Sequence, residues 1–198
     1  MSAIPAIPPA YEGEWRTPYR GKVAMFGLII GESAIFTIFV VAYIFYIGKS
    51  LSGPTPQQVL EVPIFITICL LSSSFTIMLA ERALARNRLS GFAAWLGSTI
   101  CLGLIFLGGT AIEWHELIFR DGLTISTNLF GTTYYSLVGL HATHVIIGLA
   151  MLSLVLVFAL AGRMGEQHAE RFAVLAMYWH FVDVVWVVVF TVVYIIGR

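Results

Sequence analysis

Residues 178–186 read YWHFVDVVW and lie inside an apolar segment long enough to cross a membrane. Two ionisable residues of this stretch, His180 and Asp183, are three positions apart and fall on neighbouring faces of one helix. An Asp at the centre of a bilayer costs about 2.5–3.5 kcal/mol even on the mildest insertion scale. The carboxyl group of Asp183 therefore needs a hydrogen-bonding partner on another helix or a buried water.

The composition of the whole chain agrees with a membrane location for this stretch. The 198 residues are 59% hydrophobic and 11% charged, whereas a soluble domain carries about 25% charged residues. The formal net charge is zero, which gives no reason to expect nucleic acid as a partner. Cys69 and Cys101 lie in apolar runs and are interpreted as small core residues. The first eleven residues show no cleavable signal peptide. The composition therefore predicts a polytopic membrane protein.

We predict an all-α, polytopic membrane bundle of five transmembrane helices, forming one domain over residues 23–198 after an N-terminal arm over 1–22. Each predicted span supplies the ~20 residues that a bilayer requires. The spans are 23–47, 60–81, 92–117, 132–161 and 172–197.

The orientation follows from the distribution of Lys and Arg between the two ends of the bundle. One end has the basic residues Arg16, Arg20, Lys22, Arg82, Arg86, Arg88, Arg163 and Arg171, and the other has Lys49, Arg120 and Arg198. Positive charge accumulates on the cytoplasmic side of membrane proteins. We therefore predict a cytoplasmic N-terminus and a C-terminus outside.

Glu32 lies near the middle of the first predicted span, about 13 Å along the helix. Gly27 and Gly31 precede it with the small-xxx-small spacing that lets another helix approach closely. One interpretation is a structural carboxyl group that clamps two helices. The other is a site that supports proton movement, because carboxyl groups at this depth often mark function. The sequence leaves both open.

Two further groups of polar residues are candidates for metal ligands. His141 and His144 share a helix face, but nothing completes a coordination set, which favours hydrogen-bonded neutral imidazoles. Glu113 ends the third span near His115 and Glu116, yet a di-iron bundle would need Glu-x-x-His pairs on two helices. We therefore expect a hydrogen-bonded helix end at the headgroup level, no metal site and no catalytic residue.

Several of these segments together resemble subunit III of the haem–copper terminal oxidases. The stretch 178–186 is similar to the family's signature nearly letter for letter, and residues 139–148, GLHATHVIIG, resemble its Gly-x-His-Gly-x-His-Val-x-x-Gly segment. Glu32 is similar to the family's buried glutamate. Residues 112–116, IEWHE, followed by 131–132, resemble a helix end of the mitochondrial forms. The resemblance extends from about Arg20 to the C-terminus.

Departures from the mitochondrial pattern narrow the resemblance to a bacterial five-helix form. Ala142 replaces a glycine between the histidines, which changes little. Ala173 stands where the mitochondrial forms have Glu, so no role of that carboxylate is carried over. Mitochondrial forms have seven spans, and this chain begins at what would be their third.

The resemblance implies a non-redox subunit of a respiratory oxidase in the bacterial inner (plasma) membrane. Such a subunit packs on subunit I, in one complex with subunit II, shields the proton-uptake side and holds structural phospholipid in a cleft. Haem and copper belong to the partner subunits, which reduce oxygen to water and pump protons. Buried Glu32, His180 and Asp183 would fix the helix arrangement. A supercomplex containing cytochrome c is a further partner that the family allows. Candidates for the lipid cleft are Trp179, Trp186, Phe36 and Tyr43.

Three alternatives stay open from the sequence. Residues 189–194, VFTVVY, resemble bacterial quinol oxidases, whereas residues 178–183 resemble cytochrome c oxidases, which favours cytochrome c as the electron donor. A similarly short accessory protein of nitric oxide reductase is a second alternative. A stand-alone transporter or proton channel is a third, although no helix broken by Gly or Pro exposes backbone for a substrate.

Overall fold

The computed structural model describes residues 20–50 and 52–197, and within them every regular element is helical. A short 3₁₀ turn, Glu166–His168, precedes the last helix, and a π-helical segment, Thr191–Ile196, continues it. The helices are α1 (Arg20–Tyr46), α2 (Pro56–Val59), α3 (Ile64–Ala85), α4 (Leu89–Phe119), α5 (Leu129–Leu160) and α6 (Ala169–Phe190).

Five of these helices, α1, α3, α4, α5 and α6 with its continuation, are long and apolar enough to cross a membrane. The predicted all-α bundle of five spans is therefore confirmed. Of the predicted arm, residues 1–19 lie outside the described residues, and residues 20–22 already belong to α1. The assignment of the N-terminal end to the cytoplasm stays a prediction.

The ends of α3 differ most from the predicted span at 60–81. The helix begins at Ile64, directly after Pro63, and continues through Glu81 and Arg82 to Ala85. Charged residues with long side chains are good helix formers, so the helix passes the point where the apolar run stops. The link to α4 is consequently short, and it turns at Asn87, whose φ of 54° is left-handed.

Asn128 sets the start of α5 three residues before the predicted one. Its side chain accepts a hydrogen bond from the Gly131 backbone N–H at 2.8 Å and so caps the helix. Its amide nitrogen also donates to the carbonyls of Ser52 and Pro54, at 3.1 Å each. One side chain thus fixes both the first turn of α5 and the loop that follows α1.

The helix α6 is the central element of the bundle and packs against α1, α3 and α5, while α4 packs against α3 and α5. In the most apolar stretch of the last span, 50% of the residues are buried, whereas in the corresponding stretch of α1 only 11% are buried. Most of α1 therefore faces outward, toward lipid or another chain. Gly27 and Gly31 are part of this outward face, because no described atom lies within 4 Å of a Cβ built on either. The close helix approach predicted there is not made by another described helix of this chain.

Candidate functional site

The first polar cluster joins α1 to α5 through Glu32 and His144. The Oε2 atom of Glu32 and the Nε2 atom of His144 are 3.1 Å apart. The other ring nitrogen, Nδ1, lies 2.8 Å from the carbonyl oxygen of Leu140, one turn earlier on α5. Phe36 covers the imidazole at a ring-centroid distance of 5.0 Å. The sequence placed Glu32 and His144 in separate candidate groups, and the structure brings them together.

This geometry limits how protons are distributed in the pair. A carbonyl oxygen only accepts, so Nδ1 of His144 carries a hydrogen and donates it to Leu140. The contact between Nε2 and Oε2 then holds one proton, on the carboxyl group or on the imidazole. In both cases the pair has no net charge, which lowers the free-energy cost of burying it in the membrane.

Replacing Glu32 with Leu is expected to weaken the bundle by about 0.6–1.7 kcal/mol, the range of hydrogen bonds between helices in a membrane. Glu32→Gln should cost less, because its amide N–H can donate to Nε2 of His144. The midpoint of denaturant-induced unfolding in detergent measures both. Ser33→Ala is the matched control, since the Ser33 hydroxyl donates to the Ile29 carbonyl of its own helix and, within the described part of the chain, joins no other helix. Equal losses of stability for Glu32→Leu and Glu32→Gln would contradict a hydrogen bond between Glu32 and His144.

The second cluster joins α3 to α6 and contains His180 and Asp183. The Ser74 hydroxyl donates to Oδ2 of Asp183 and lies 3.0 Å from Nδ1 of His180. Asp183 is buried, and its second oxygen, Oδ1, has no hydrogen-bonding partner among the described residues. The partner that the sequence requires for Asp183 is therefore a serine of α3.

Two tryptophans of α6 also donate to hydroxyl groups of α3. The indole N–H of Trp179 donates to Oγ of Ser73 at 2.8 Å, and that of Trp186 donates to Oγ1 of Thr67 at 3.2 Å. Together with the bond from Ser74 to Asp183, three hydrogen bonds between the two helices follow one another along the buried face of α6. Polar side chains thus connect α3 and α6 over about 10 Å of helix, roughly a third of the hydrocarbon thickness.

The third cluster lies at the end of the bundle predicted to face outside. Oε1 of Glu113 accepts hydrogen bonds from the hydroxyls of Tyr194 at 2.8 Å and Tyr134 at 3.2 Å, and these hydroxyls are 3.3 Å apart. Glu113 therefore joins α4 to α5 and to the continuation of α6. The sequence predicted a hydrogen-bonded helix end here, but not that the bonds connect three elements. Sequence reasoning missed the role of both tyrosines.

His141 differs from His144, although the two are three residues apart on α5. It is fully buried, and neither ring nitrogen has a hydrogen-bonding partner among the described residues. Its ring stacks on Trp186 at 5.0 Å and meets the edges of the Phe106 and Phe36 rings. The hydrogen bonds predicted for His141 are absent from the described part of the chain, because aromatic rings occupy its surroundings.

The geometry gives no sign of a coordination set. Within residues 20–50 and 52–197, no three His, Cys, Asp or Glu side chains come together as metal ligands would. Both ring nitrogens of His141 are enclosed by the surrounding side chains. That this chain carries no redox centre stays a prediction.

The four candidates for a lipid cleft share one feature, which is burial inside the protein. Phe36, Tyr43, Trp179 and Trp186 are each at most 4% exposed and pack against other side chains of the bundle. None of them faces outward in this arrangement of the helices. A lipid cleft formed by these residues stays a prediction.

Comparison with known proteins places the chain next to oxidase subunits. A family model described as Cytochrome c oxidase subunit III matches residues 22–198. Cytochrome c oxidase subunit 3 of Alkalihalophilus pseudofirmus is 37% identical, over 92% of this chain and 91% of that protein. Cytochrome c oxidase subunit 3 of Bacillus subtilis is 32% identical, over 98% and 93%. Cytochrome bo(3) ubiquinol oxidase subunit 3 of Pseudomonas aeruginosa is also 32% identical, over 85% and 81%.

Proposed function

The chain belongs to the cytochrome c oxidase subunit III family, and we propose that it is the non-redox subunit of a respiratory haem–copper oxidase in a bacterial plasma membrane. It packs on subunit I, which together with subunit II carries the haem and copper. Those subunits reduce oxygen to water and pump protons. This chain stabilises the proton-uptake side of the assembly and holds structural phospholipid.

This proposal is supported by one observation: the polar side chains within the membrane join the helices to one another. Each cluster joins helices: Glu32 with His144 joins α1 to α5, Ser74 with Asp183 joins α3 to α6, and Glu113 joins α4 to α5 and the end of the chain. All five spans are connected in this way. In hydrocarbon, water does not compete for such bonds, so they favour one helix arrangement. That is what a rigid supporting subunit needs.

The same observation argues against a stand-alone transporter or proton channel. Such a protein needs a continuous polar route across the membrane, with backbone or charged groups facing it. Here the clusters are separate, and the aromatic rings of Phe36, Phe106 and Trp186 surround His141. The relatives named above are oxidase subunits, which likewise favours the oxidase over a nitric oxide reductase accessory protein.

For the electron donor we propose cytochrome c, with a quinol as the alternative. The relative at 37% identity is named as a cytochrome c oxidase subunit, whereas one at 32% is named as a ubiquinol oxidase subunit. The donor site lies on another subunit in either case. The presence of copper-ligating cysteines in the accompanying subunit II would support cytochrome c, and their absence would support a quinol. Association with a supercomplex that contains cytochrome c would follow only in the first case.

Replacing Asp183 with Ala tests the supporting role. The variant leaves the Ser74 hydroxyl without its acceptor, at a cost of about 1–3 kcal/mol. We expect less of this chain to purify with the haem-bearing subunit, or a faster loss of oxidase activity during turnover, with the haem absorption spectrum unchanged. Asp183→Asn is the control, since its side-chain oxygen can still accept from Ser74. A variant that directly changes the haem spectrum would refute the non-redox role.

A further inference from the structure

His180 is a half-buried polar residue at a depth where the membrane is hydrocarbon. The last span runs from Ala169 to Ile196, about 40 Å of helix, and His180 lies about 17 Å from its start. The side chain sits in the groove between α3 and α6, where it meets Ser74. Polar groups at this depth normally face the protein interior. A half-buried imidazole there needs a partner on its open side.

The hydrogen bonds within the groove show which kind of partner is missing. The Ser74 hydroxyl has one hydrogen and donates it to Asp183, so its oxygen accepts the Nδ1 hydrogen of His180. With the hydrogen on Nδ1, the Nε2 atom of the neutral ring is an acceptor. No described residue bonds to Nε2, and this atom is not among the fully enclosed unpaired ones. The open side of His180 thus presents an acceptor that lacks a donor.

Among the described residues, those one helical turn to either side of Ser74 and His180 supply no hydrogen-bond donor. Leu71 and Met78 lie one turn to either side of Ser74 on α3, and Met177 and Val184 do the same around His180 on α6. Lipid chains offer no hydrogen-bond donor either, and an unpaired polar group in hydrocarbon costs several kcal/mol. By contrast, the outward positions Ile38 on α1 and Leu154 on α5 are purely apolar and suit lipid as they are.

We propose that the groove between α3 and α6 is the surface that docks on the haem-bearing subunit, through a transmembrane helix that donates a hydrogen bond to Nε2 of His180. The donor is a hydroxyl or N–H group of that helix. The apolar residues on either side of His180 supply the close packing that helices use in membranes, where burial alone gives little driving force. This inference rests on the proposed function and adds to it the face and the chemistry of the contact.

Two substitutions of His180 separate docking from a purely internal role. Asn places its amide nitrogen near the position of Nδ1, so His180→Asn keeps the donor to Ser74 and loses the outward group. Gln reaches to the position of Nε2, so His180→Gln keeps a polar group facing the partner and loses the bond to Ser74. We expect His180→Asn to lower the amount of chain retained on the haem-bearing subunit about tenfold, and His180→Gln to lower it less. The opposite order would overturn the proposal, because it would assign His180 to the interior alone.

Site-specific crosslinking then identifies the face directly. A photoreactive residue is placed at Val184, which is 63% exposed beside His180, and in a matched variant at Ile38, which is 67% exposed on α1. In membranes that contain the whole complex, we expect crosslinks to the haem-bearing subunit from position 184 and not from position 38. Equal crosslinking from both, or crosslinking from position 38 alone, would overturn this docking face and leave the proposed function intact. A chain that never purifies with a haem-bearing subunit would refute both.

Discussion

Trp179→Ala is expected to destabilise the bundle by about 3–5 kcal/mol, the usual cost of removing a large buried aromatic side chain. The Trp179 side chain is fully buried, and its indole N–H donates to Ser73. The indole also fits between two helices at glycines, since a Cβ at Gly148 would lie 2.8 Å from the ring and one at Gly103 would lie 3.1 Å from it. The truncation therefore leaves a cavity where α3, α4, α5 and α6 meet. The midpoint of unfolding in detergent, followed by circular dichroism, measures the loss.

The matched control for this variant is Trp95→Ala, which removes the same side chain from the outward face of α4. Trp95 is 41% exposed, so its loss opens no internal cavity and should change the midpoint little. Gly148→Ala should also destabilise, because the added methyl group meets the indole ring. At Gly97 no described atom lies within 4 Å of an added Cβ, so this position should tolerate Ala. Similar shifts for Trp179→Ala and Trp95→Ala would show that the indole packing is unimportant.

Glu113→Leu is expected to cost about 2–3 kcal/mol, because two buried tyrosine hydroxyls lose their common acceptor. The hydroxyls of Tyr134 and Tyr194 are 3.3 Å apart and can bond to each other, but one hydroxyl hydrogen then stays unpaired. Removing both partners of a buried hydrogen bond costs less than removing one. The triple variant with Tyr134→Phe and Tyr194→Phe should therefore recover part of the stability that Glu113→Leu loses.

The same unfolding measurement tests this rescue, with Glu116→Leu as the control. Glu116 lies one turn from Glu113, but its side chain is 49% exposed, and its one ion pair among the described residues is with Arg120, at 3.4 Å. Exposed pairs of this kind contribute little to stability, so the control should be nearly neutral. If the two tyrosine substitutions lowered stability further instead of restoring it, the account of Glu113 as a shared acceptor would be wrong.

The candidate residues differ in how well the sequence predicted their surroundings. For Asp183, depth in an apolar segment was enough to require a partner, because burial of a carboxyl group is costly wherever it occurs. The identity of that partner, Ser74, was not predictable, since Ser72, Ser73 and Ser74 are consecutive and only one of them points at Asp183. For Glu113, the position at a helix end was enough to predict hydrogen bonding. The two donors, Tyr134 and Tyr194, come from distant segments, and no spacing in the sequence predicts that they meet at Glu113.

The helical spans and the membrane class were contained in the sequence, because hydropathy over about 20 residues is a local property that requires no knowledge of neighbouring helices. The pairing of polar groups depended on how each helix is rotated and on which helix lies beside it. His141 and His144 show this most clearly: they are three residues apart, yet aromatic rings surround the first and Glu32 binds the second. Gly27 and Gly31 show it as well, since their spacing permits a close contact and the rotation of α1 turns them outward. Rotation is set by packing among all five spans at once, so no single segment specifies it.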